Sequence, residues 1–300
     1  MTGPVVSLEA GDLTAAFLPG RGMLGSSLRH RGEEILRRVD DLEGAAAKGS
    51  TAGIPLLHPW ANRLSGPRYR AAGREVVLDL RSPLLHLDEH GLPIHGIPWA
   101  RLAWEVIGSA PDRLTARLDW RRPDLLAVFP FPHLLRMEAA LRSDGLTIRT
   151  TLTGGGEGPV PVSFGFHPYV GLPGLPRVDW RLTLPTMRRL DLDGDGIPTG
   201  VEKPFAGFDG PLGDAVFDDG FALLPGATVF TLVGGGRRVT VRFLSGYSFA
   251  QVFAPTGKEF VAIEPMTAPT SALTTGRGLR LAGPGESVVA AFRILVEDAT

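Results

Sequence analysis

Arg238-Val239-Thr240-Val241-Arg242-Phe243 decides how the chain is read, because apolar and polar residues alternate through it without a break. Successive side chains of a strand point to opposite faces, so Val239, Val241 and Phe243 share one face. Val288, Ala290, Phe292, Ile294 and Val296 form a second single-face set. Leu146, Ile148 and Leu152 form a third, alternating with Thr147, Arg149 and Thr151. One apolar and one polar face is the pattern of half-buried antiparallel strands. Working outward, further strands are expected at 13–18, 102–107, 114–120, 134–141, 160–166, 178–184, 229–233, 249–253 and 260–263. Ser143-Asp144-Gly145 and Gly234-Gly235-Gly236 are turn signals between them. Helix signals are confined to short patches such as 123–127. Many short, closely spaced strands predict an all-β antiparallel sandwich rather than βαβ units. The Gly-rich tract 154–158 reads as a loop between strands, and no linker divides the chain, so one domain over 1–300 is expected.

The composition agrees with a chain of many turns. The 300 residues include 39 Gly and 26 Pro, and the formal net charge is -1. Arg and Lys are dispersed, without the basic stripe that nucleic-acid binders need. There is no Cys, which removes disulfides, thiolate nucleophiles and thiolate metal sites, and fits a reducing, cytoplasmic setting. No signal peptide or transmembrane stretch is expected from the hydropathy pattern.

Five segments carry groups capable of chemistry. In Pro55-Leu56-Leu57-His58-Pro59-Trp60-Ala61-Asn62-Arg63, the Arg63 guanidinium and the Asn62 amide suit sugar hydroxyls, or the segment is a turn with a surface Arg. His90 and His95 lie in a Gly-flanked stretch whose backbone can approach a ligand closely. His86, His90 and His95 match no zinc spacing. His167, in Phe164-Gly165-Phe166-His167-Pro168-Tyr169, ends a strand, either as an acid–base group or as a hydrogen-bonded core histidine. Glu264 directly follows an apolar strand. A carboxylate there is costly unless paired or used, so it is a general base or an exposed turn residue. Asp218 and Asp219 offer acceptors for hydroxyls, or form an ordinary turn.

Asp191, Asp193, Asp195, Gly196 and Glu202 fit the complete calcium-loop spacing D-x-[DN]-x-[DN]-G-x5-E. That loop needs a helix on each side. Here Pro185, Pro198, Pro204 and Gly207 surround it, so an acidic turn without metal is the expectation.

Taken in order, the segments resemble the aldose 1-epimerase (galactose mutarotase-like) family. Asn62-Arg63 is similar to its Pro-x-x-Asn-Arg segment, Ile94-His95-Gly96 to its His-Gly segment, and Phe166-His167-Pro168-Tyr169 to its Phe-His-Pro-Tyr segment. Leu190-Asp191 with Ile197-Pro198-Thr199-Gly200, Asp218 through Phe221, and Ile263-Glu264-Pro265-Met266-Thr267 complete the series. The resemblance implies a supersandwich with the sugar in a groove on one sheet. It implies Glu264 as general base and His167 as general acid, with His95, Arg63, Asp218 and, more weakly, Asn62 orienting the substrate. Val170, the pair Asp219-Gly220, and Gly154 depart from the family's usual residues, which puts a galactose preference in question.

The implied reaction opens a free aldohexose at C1 and recloses it on the other face, with two proton transfers and no redox change. No cofactor is therefore expected, and the partners reduce to a sugar substrate and, for a homodimer, a second copy. A phosphorylated-hexose 1-epimerase would need a basic cluster around the phosphate. A non-catalytic carbohydrate-binding protein would need neither Glu264 nor His167. A glycoside-processing enzyme would need two carboxylates about the cleaved bond, and Asp218 with Glu264 is the available pair.

Overall fold

The structure is a computed structural model that describes residues 4–39, 41–47, 51–226 and 228–299. Strands dominate it, and all are joined by antiparallel pairings within the sheets. A nine-stranded sheet runs Phe208–Pro211, Arg181–Leu184, Val229–Gly234, Arg237–Ser245, Ser287–Asp298, Gly145–Gly154, His133–Arg142, Arg113–Asp119 and Glu105–Ala110 in spatial order. An eight-stranded sheet runs Pro198–Phe205, Met187–Leu192, Phe217–Leu223, Phe249–Ala254, Val261–Met266, Gly165–Phe166 and Leu56–Leu57, with Tyr169–Val170 also paired to Val261–Met266. A four-stranded sheet at the N-terminal end joins Val6–Ala10, Leu13–Leu18, Leu24–His30 and Glu33–Glu34.

The predicted single-face sets account for the packing. Val239, Val241, Phe243, Phe292, Ile294, Leu146, Ile148 and Leu152 all enter one contiguous core with Phe166, Phe221, Val252 and Ile263 of the other large sheet. The rings of Phe166 and Phe292 meet across the two layers at 5.1 Å. The chain is thus a large antiparallel β-sandwich, as its alternation predicts.

Several boundaries differ from the sequence reading, each for a local reason. The strand expected at 102–107 begins only at Glu105, after a 3-10 turn at Trp99–Arg101, and lies exposed at the sheet edge. The strand expected at 160–166 divides into Val160–Val162 and Gly165–Phe166, which pair with different partners. Before Arg181–Leu184 comes a 3-10 turn at Arg177–Asp179. It is fixed by the buried Arg177 guanidinium, which donates to the carbonyls of Gly213, Ala215 and Ala254. The helix expected at 123–127 is present as Pro123–Val128, with Pro at its start where no N–H is needed. Among the described residues, no helix is long and apolar enough to cross a membrane.

Candidate active site

The site is built on the face of the eight-stranded sheet that turns away from the core. In Val261–Met266, Val261 and Ile263 point into the main core, which leaves Ala262, Glu264 and Met266 on the opposite face. In Phe249–Ala254, Ala250, Val252 and Ala254 go inward and Phe249, Gln251 and Phe253 outward by the same period. Register sets Gln251 opposite Glu264, and Phe253 opposite both Ala262 and Asp218. Phe166 belongs to the core, so the next residue, His167, faces the site.

Two loops close over this face. His95 donates its backbone N–H to the Asn62 carbonyl at 2.9 Å, and Arg63 bridges Ile94. Asn62 and His95 both adopt left-handed backbone, at φ 57° and 62°. Asn tolerates that region, whereas for His it is uncommon and carries strain of about 1–3 kcal/mol. Gly96 follows at φ 67°, and a Cβ there would run into the His58 carbonyl, so the close approach of these loops requires glycine. The result is a cavity of about 180 Å³ lined by Asn62, Arg63, Ile94, His95, His167, Tyr169, Asp218, Gln251, Phe253 and Glu264. All six residues singled out from the sequence thus line one chamber.

His167 and Glu264 touch at its floor. Nε2 of His167 lies 3.1 Å from Oε1 of Glu264, and their side chains are 6% and 2% exposed. Burial pushes the Glu264 carboxyl well above its ordinary range, the Asp218 carboxylate adds to this, and Arg63 opposes it. Burial also pushes His167 well below its usual value, helped by neighbouring His95. Both shifts favour a neutral pair that shares one proton, resting on Glu264. The ring of His167 stacks on Tyr169 at 4.1 Å and meets the His95 ring edge-on at 5.6 Å. His95 itself is held neutral, lowered to about 3 by burial and then by Arg63 and His86, against a smaller upward pull from Asp88. Oε2 of Glu264, Nδ1 of His167 and Nδ1 of His95 are buried and lack a hydrogen-bond partner among the described residues. Such atoms are costly to leave unsatisfied, and each is an acceptor or donor that a polyhydroxylated ligand can engage.

Arg63 is placed by its neighbours rather than left free on the surface. Its Nε donates to the buried Asp88 carboxylate, and Nη2 to Glu89 at 3.1 Å. Burial pushes Asp88 up, but hydrogen bonds from the Leu92 N–H, Arg63 and the His90 N–H outweigh it and hold the carboxyl below its ordinary range. Asp218 accepts from Nε2 of Gln251 at 2.7 Å. Its carboxyl is nonetheless raised, mainly by burial. Asp219 pairs with Arg189 instead of entering the chamber. Arg63→Ala should weaken sugar capture by about 1.5–3 kcal/mol, the worth of a hydrogen bond to a charged group. That is roughly ten- to hundredfold in kcat/KM. Rates at limiting sugar that match wild type would remove Arg63 from the binding set.

The sequence with calcium-loop spacing folds as a β-hairpin, Met187–Leu192 with Pro198–Phe205. Its acids are spoken for: Asp191 pairs with Lys203, Glu202 with Arg188 and Arg277, and Oδ1 of Asp193 accepts from the Asp195 and Ile197 amides. Millimolar calcium should therefore shift neither Tm nor activity. A rise of several degrees that Asp193→Ala abolishes would show that the hairpin tip binds the ion after all. His90 approaches Asp195 at 3.4 Å and Glu89 at 3.7 Å, outside the inner chamber.

Sequence reasoning passed over Asp88, Gln251 and Phe253. Gln251 had a signal, as a polar residue sharing a strand face with Phe249 and Phe253. Asp88 had none, because its role depends on an arginine 25 positions earlier in the chain.

Comparison with known proteins supplies a context for this geometry. A family model described as aldose 1-epimerase matches residues 4–294. A protein of Escherichia coli K12, the uncharacterized protein YphB, is 30% identical over 137 residues. That match covers 46% of this chain and 42% of YphB, so the chain spans less than half the length of this curated relative. The crystal structure of the Slr1438 protein from Synechocystis sp. PCC 6803 is similar over 99% of this chain and 96% of its own, with 25% identity and a TM-score of 0.77. A galactose mutarotase-like protein from Clostridium acetobutylicum shares the fold at a TM-score of 0.83, with 18% identity over 98% of this chain and 95% of its own.

Proposed function

We propose that this chain, which belongs to the aldose 1-epimerase family, interconverts the α and β anomers of a free, uncharged aldose by acid–base catalysis. The observation that carries the reading is the buried contact of 3.1 Å between His167 and Glu264 at the floor of a chamber lined by polar groups. A binding module has no use for an adjacent acid and base, both displaced from their ordinary proton affinities in opposite directions.

The chemistry follows from that pair. Ring opening removes the proton of the C1 hydroxyl and delivers one to the ring oxygen. Glu264 accepts the first and His167 supplies the second, which requires the tautomer with its proton on His167. The open-chain aldehyde rotates about C1–C2. Reclosure then runs the transfers backward from the neutral tautomer, Glu264 returning its proton to the C1 oxygen. One proton shared by the pair thus serves both half-reactions, and burial favours the tautomer from which reclosure begins, with the proton on Glu264. The transfers move protons and no electrons, so the proposal calls for no redox cofactor. His95, Arg63, Asp218 and Asn62 orient the hydroxyls, and the chain acts as a single catalytic domain.

The preference for an uncharged sugar is supported by the approach to the chamber. Glu89, Asp193 and Asp195 line it, and Arg63 is already engaged by Asp88 and Glu89. A phosphate would meet these carboxylates before any unpaired cation. The test is polarimetry of freshly dissolved α-glucose, α-galactose and glucose 6-phosphate, with and without the protein. The two neutral sugars should approach equilibrium rotation faster than background. Acceleration of glucose 6-phosphate alone would refute the uncharged-substrate reading.

A further inference from the structure

Two buried histidines that the proposed chemistry does not use lie behind the loops that close the chamber. His58 and His133 are each 1% exposed. Their Nε2 atoms are 2.9 Å apart, and Nδ1 of His133 lies 2.6 Å from the Phe131 carbonyl oxygen. Apolar rings surround them. Trp120 stacks on His133 at 5.0 Å and meets His58 edge-on at 4.6 Å, and Phe129 and Phe164 pack against the pair. Burial keeps both rings neutral. It lowers His133 to about 4, against upward pulls from the Phe131 carbonyl and Asp119, and it lowers His58 well below its usual value, helped by His133. A carbonyl can only accept, so the proton of neutral His133 sits on Nδ1 and its Nε2 is bare. His58 then donates from Nε2. Its own Nδ1 is left bare and buried, with no partner among the described residues.

The backbone of His58 is one end of a clasp. Its carbonyl accepts from the Ile97 N–H at 2.9 Å, the Asn62 carbonyl accepts from the His95 N–H at 2.9 Å, and the Pro93 carbonyl accepts from the Leu64 N–H at 2.8 Å. Segments 58–64 and 93–97 are thus tied along their length, and between them they carry Asn62, Arg63 and His95. Asn62 and His95 keep left-handed backbone, which persists only where the surroundings over-determine it. The imidazole pair ties the His58 end of this clasp to the first residue of strand His133–Arg142 in the nine-stranded sheet.

We infer that His58 and His133 are positioning residues for sugar capture, their hydrogen bond anchoring the clasp that presents Asn62, Arg63 and His95 to the chamber. The inference rests on the proposed reaction. Glu264 and His167 stand outside the clasp, in Val261–Met266 and directly after Gly165–Phe166. Loss of the anchor should therefore weaken binding and spare proton transfer. Without the His133 acceptor, the Nε2–H of His58 is buried and unpaired, and the clasp shifts to satisfy it.

The test uses mutarotation of the faster of glucose and galactose. His133→Leu suits the apolar pocket but cannot accept a hydrogen bond, whereas His133→Gln carries an acceptor close to the place of Nε2. KM should rise roughly fivefold or more in His133→Leu with kcat within about twofold of wild type, the loss expected for one neutral hydrogen bond, and His133→Gln should restore most of it. A role in packing alone predicts the reverse order, since leucine fits among aromatic rings better than glutamine. Imidazole nitrogen shifts of the unsubstituted protein, read by NMR, give a second measurement that needs no variant. His133 should be the Nδ1–H tautomer and His58 the Nε2–H tautomer, neither titrating from about pH 5.5 to 8. A wild-type KM in His133→Leu, a His133→Gln no better than His133→Leu, or either ring in the opposite tautomer or titrating near about 6.5, overturns the anchor and spares the proposed reaction. Acceleration of no free sugar by the unsubstituted protein overturns both.

Discussion

Glu264→Gln should cut turnover about 10²–10⁴-fold, the usual contribution of a single general base, while sugar binding survives. Gln has the same shape, keeps a hydrogen-bonding group beside Nε2 of His167, and cannot take a proton from the C1 hydroxyl. The substitution also suits the site, because burial already drives Glu264 toward its neutral form. The sign of the stability effect follows from linkage. A carboxyl whose folded pKa lies above its unfolded value stabilises the fold least at high pH, since unfolding there releases its proton. Wild type should therefore lose stability relative to Glu264→Gln as pH rises above about 4.5, the unfolded value, until the folded group titrates. A variant that is as stable as wild type near pH 5, more stable than it at pH 8, and nearly inactive throughout separates the chemical role from a folding role.

His167→Asn should lose turnover on the same scale, about 10²–10⁴-fold, because the ring oxygen then leaves without a proton. The pH profile of wild type carries the matching signature. Two independent groups, an ionised Glu and a protonated His, would be active only between their ordinary values. A pair that shares one proton behaves differently. It gains its second proton only below the lowered His167 value and loses its last only above the raised Glu264 value. The rate should thus be bell-shaped with a broad top spanning neutral pH, falling at the acid and alkaline flanks. In His167→Asn the residual rate should lose the acid flank that His167 protonation sets. An unchanged acid flank in that variant would assign it to another group.

The fold was legible in the sequence wherever alternation is strong. The set Val239, Val241, Phe243 and the set from Val288 to Val296 name the core face of the nine-stranded sheet. The hairpin Met187–Leu192 with Pro198–Phe205 was missed, since Pro198, Gly200 and Pro204 suppress strand propensity and most of the second strand is exposed, leaving no apolar face to see. The N-terminal strands Val6–Ala10 and Leu24–His30 were missed for a similar reason, having too few apolar positions at period two.

The site was legible in part. Asn62, Arg63, His95, His167, Asp218 and Glu264 each stand in a short segment with chemical character, and all line the chamber. Their distances were not legible, because register between strands is a nonlocal property. Nothing in the chain order says that Gln251 faces Glu264, or that Asp88 fixes the direction of Arg63. The direct contact between His167 and Glu264 was likewise hidden. It couples the two groups, and their shared burial favours a resting proton on the carboxyl.

That coupling is tested most directly by a double-variant cycle. Mutarotation of saturating α-glucose would be followed by polarimetry for wild type, Glu264→Gln, His167→Asn and the double variant, with the spontaneous rate subtracted. Groups that move one proton between them act as a unit, so their losses do not multiply. The account predicts two slow single variants and a double variant within a few-fold of the slower one. Losses that multiply in the double variant, or either single variant exchanging anomers at close to the wild-type rate, would contradict it.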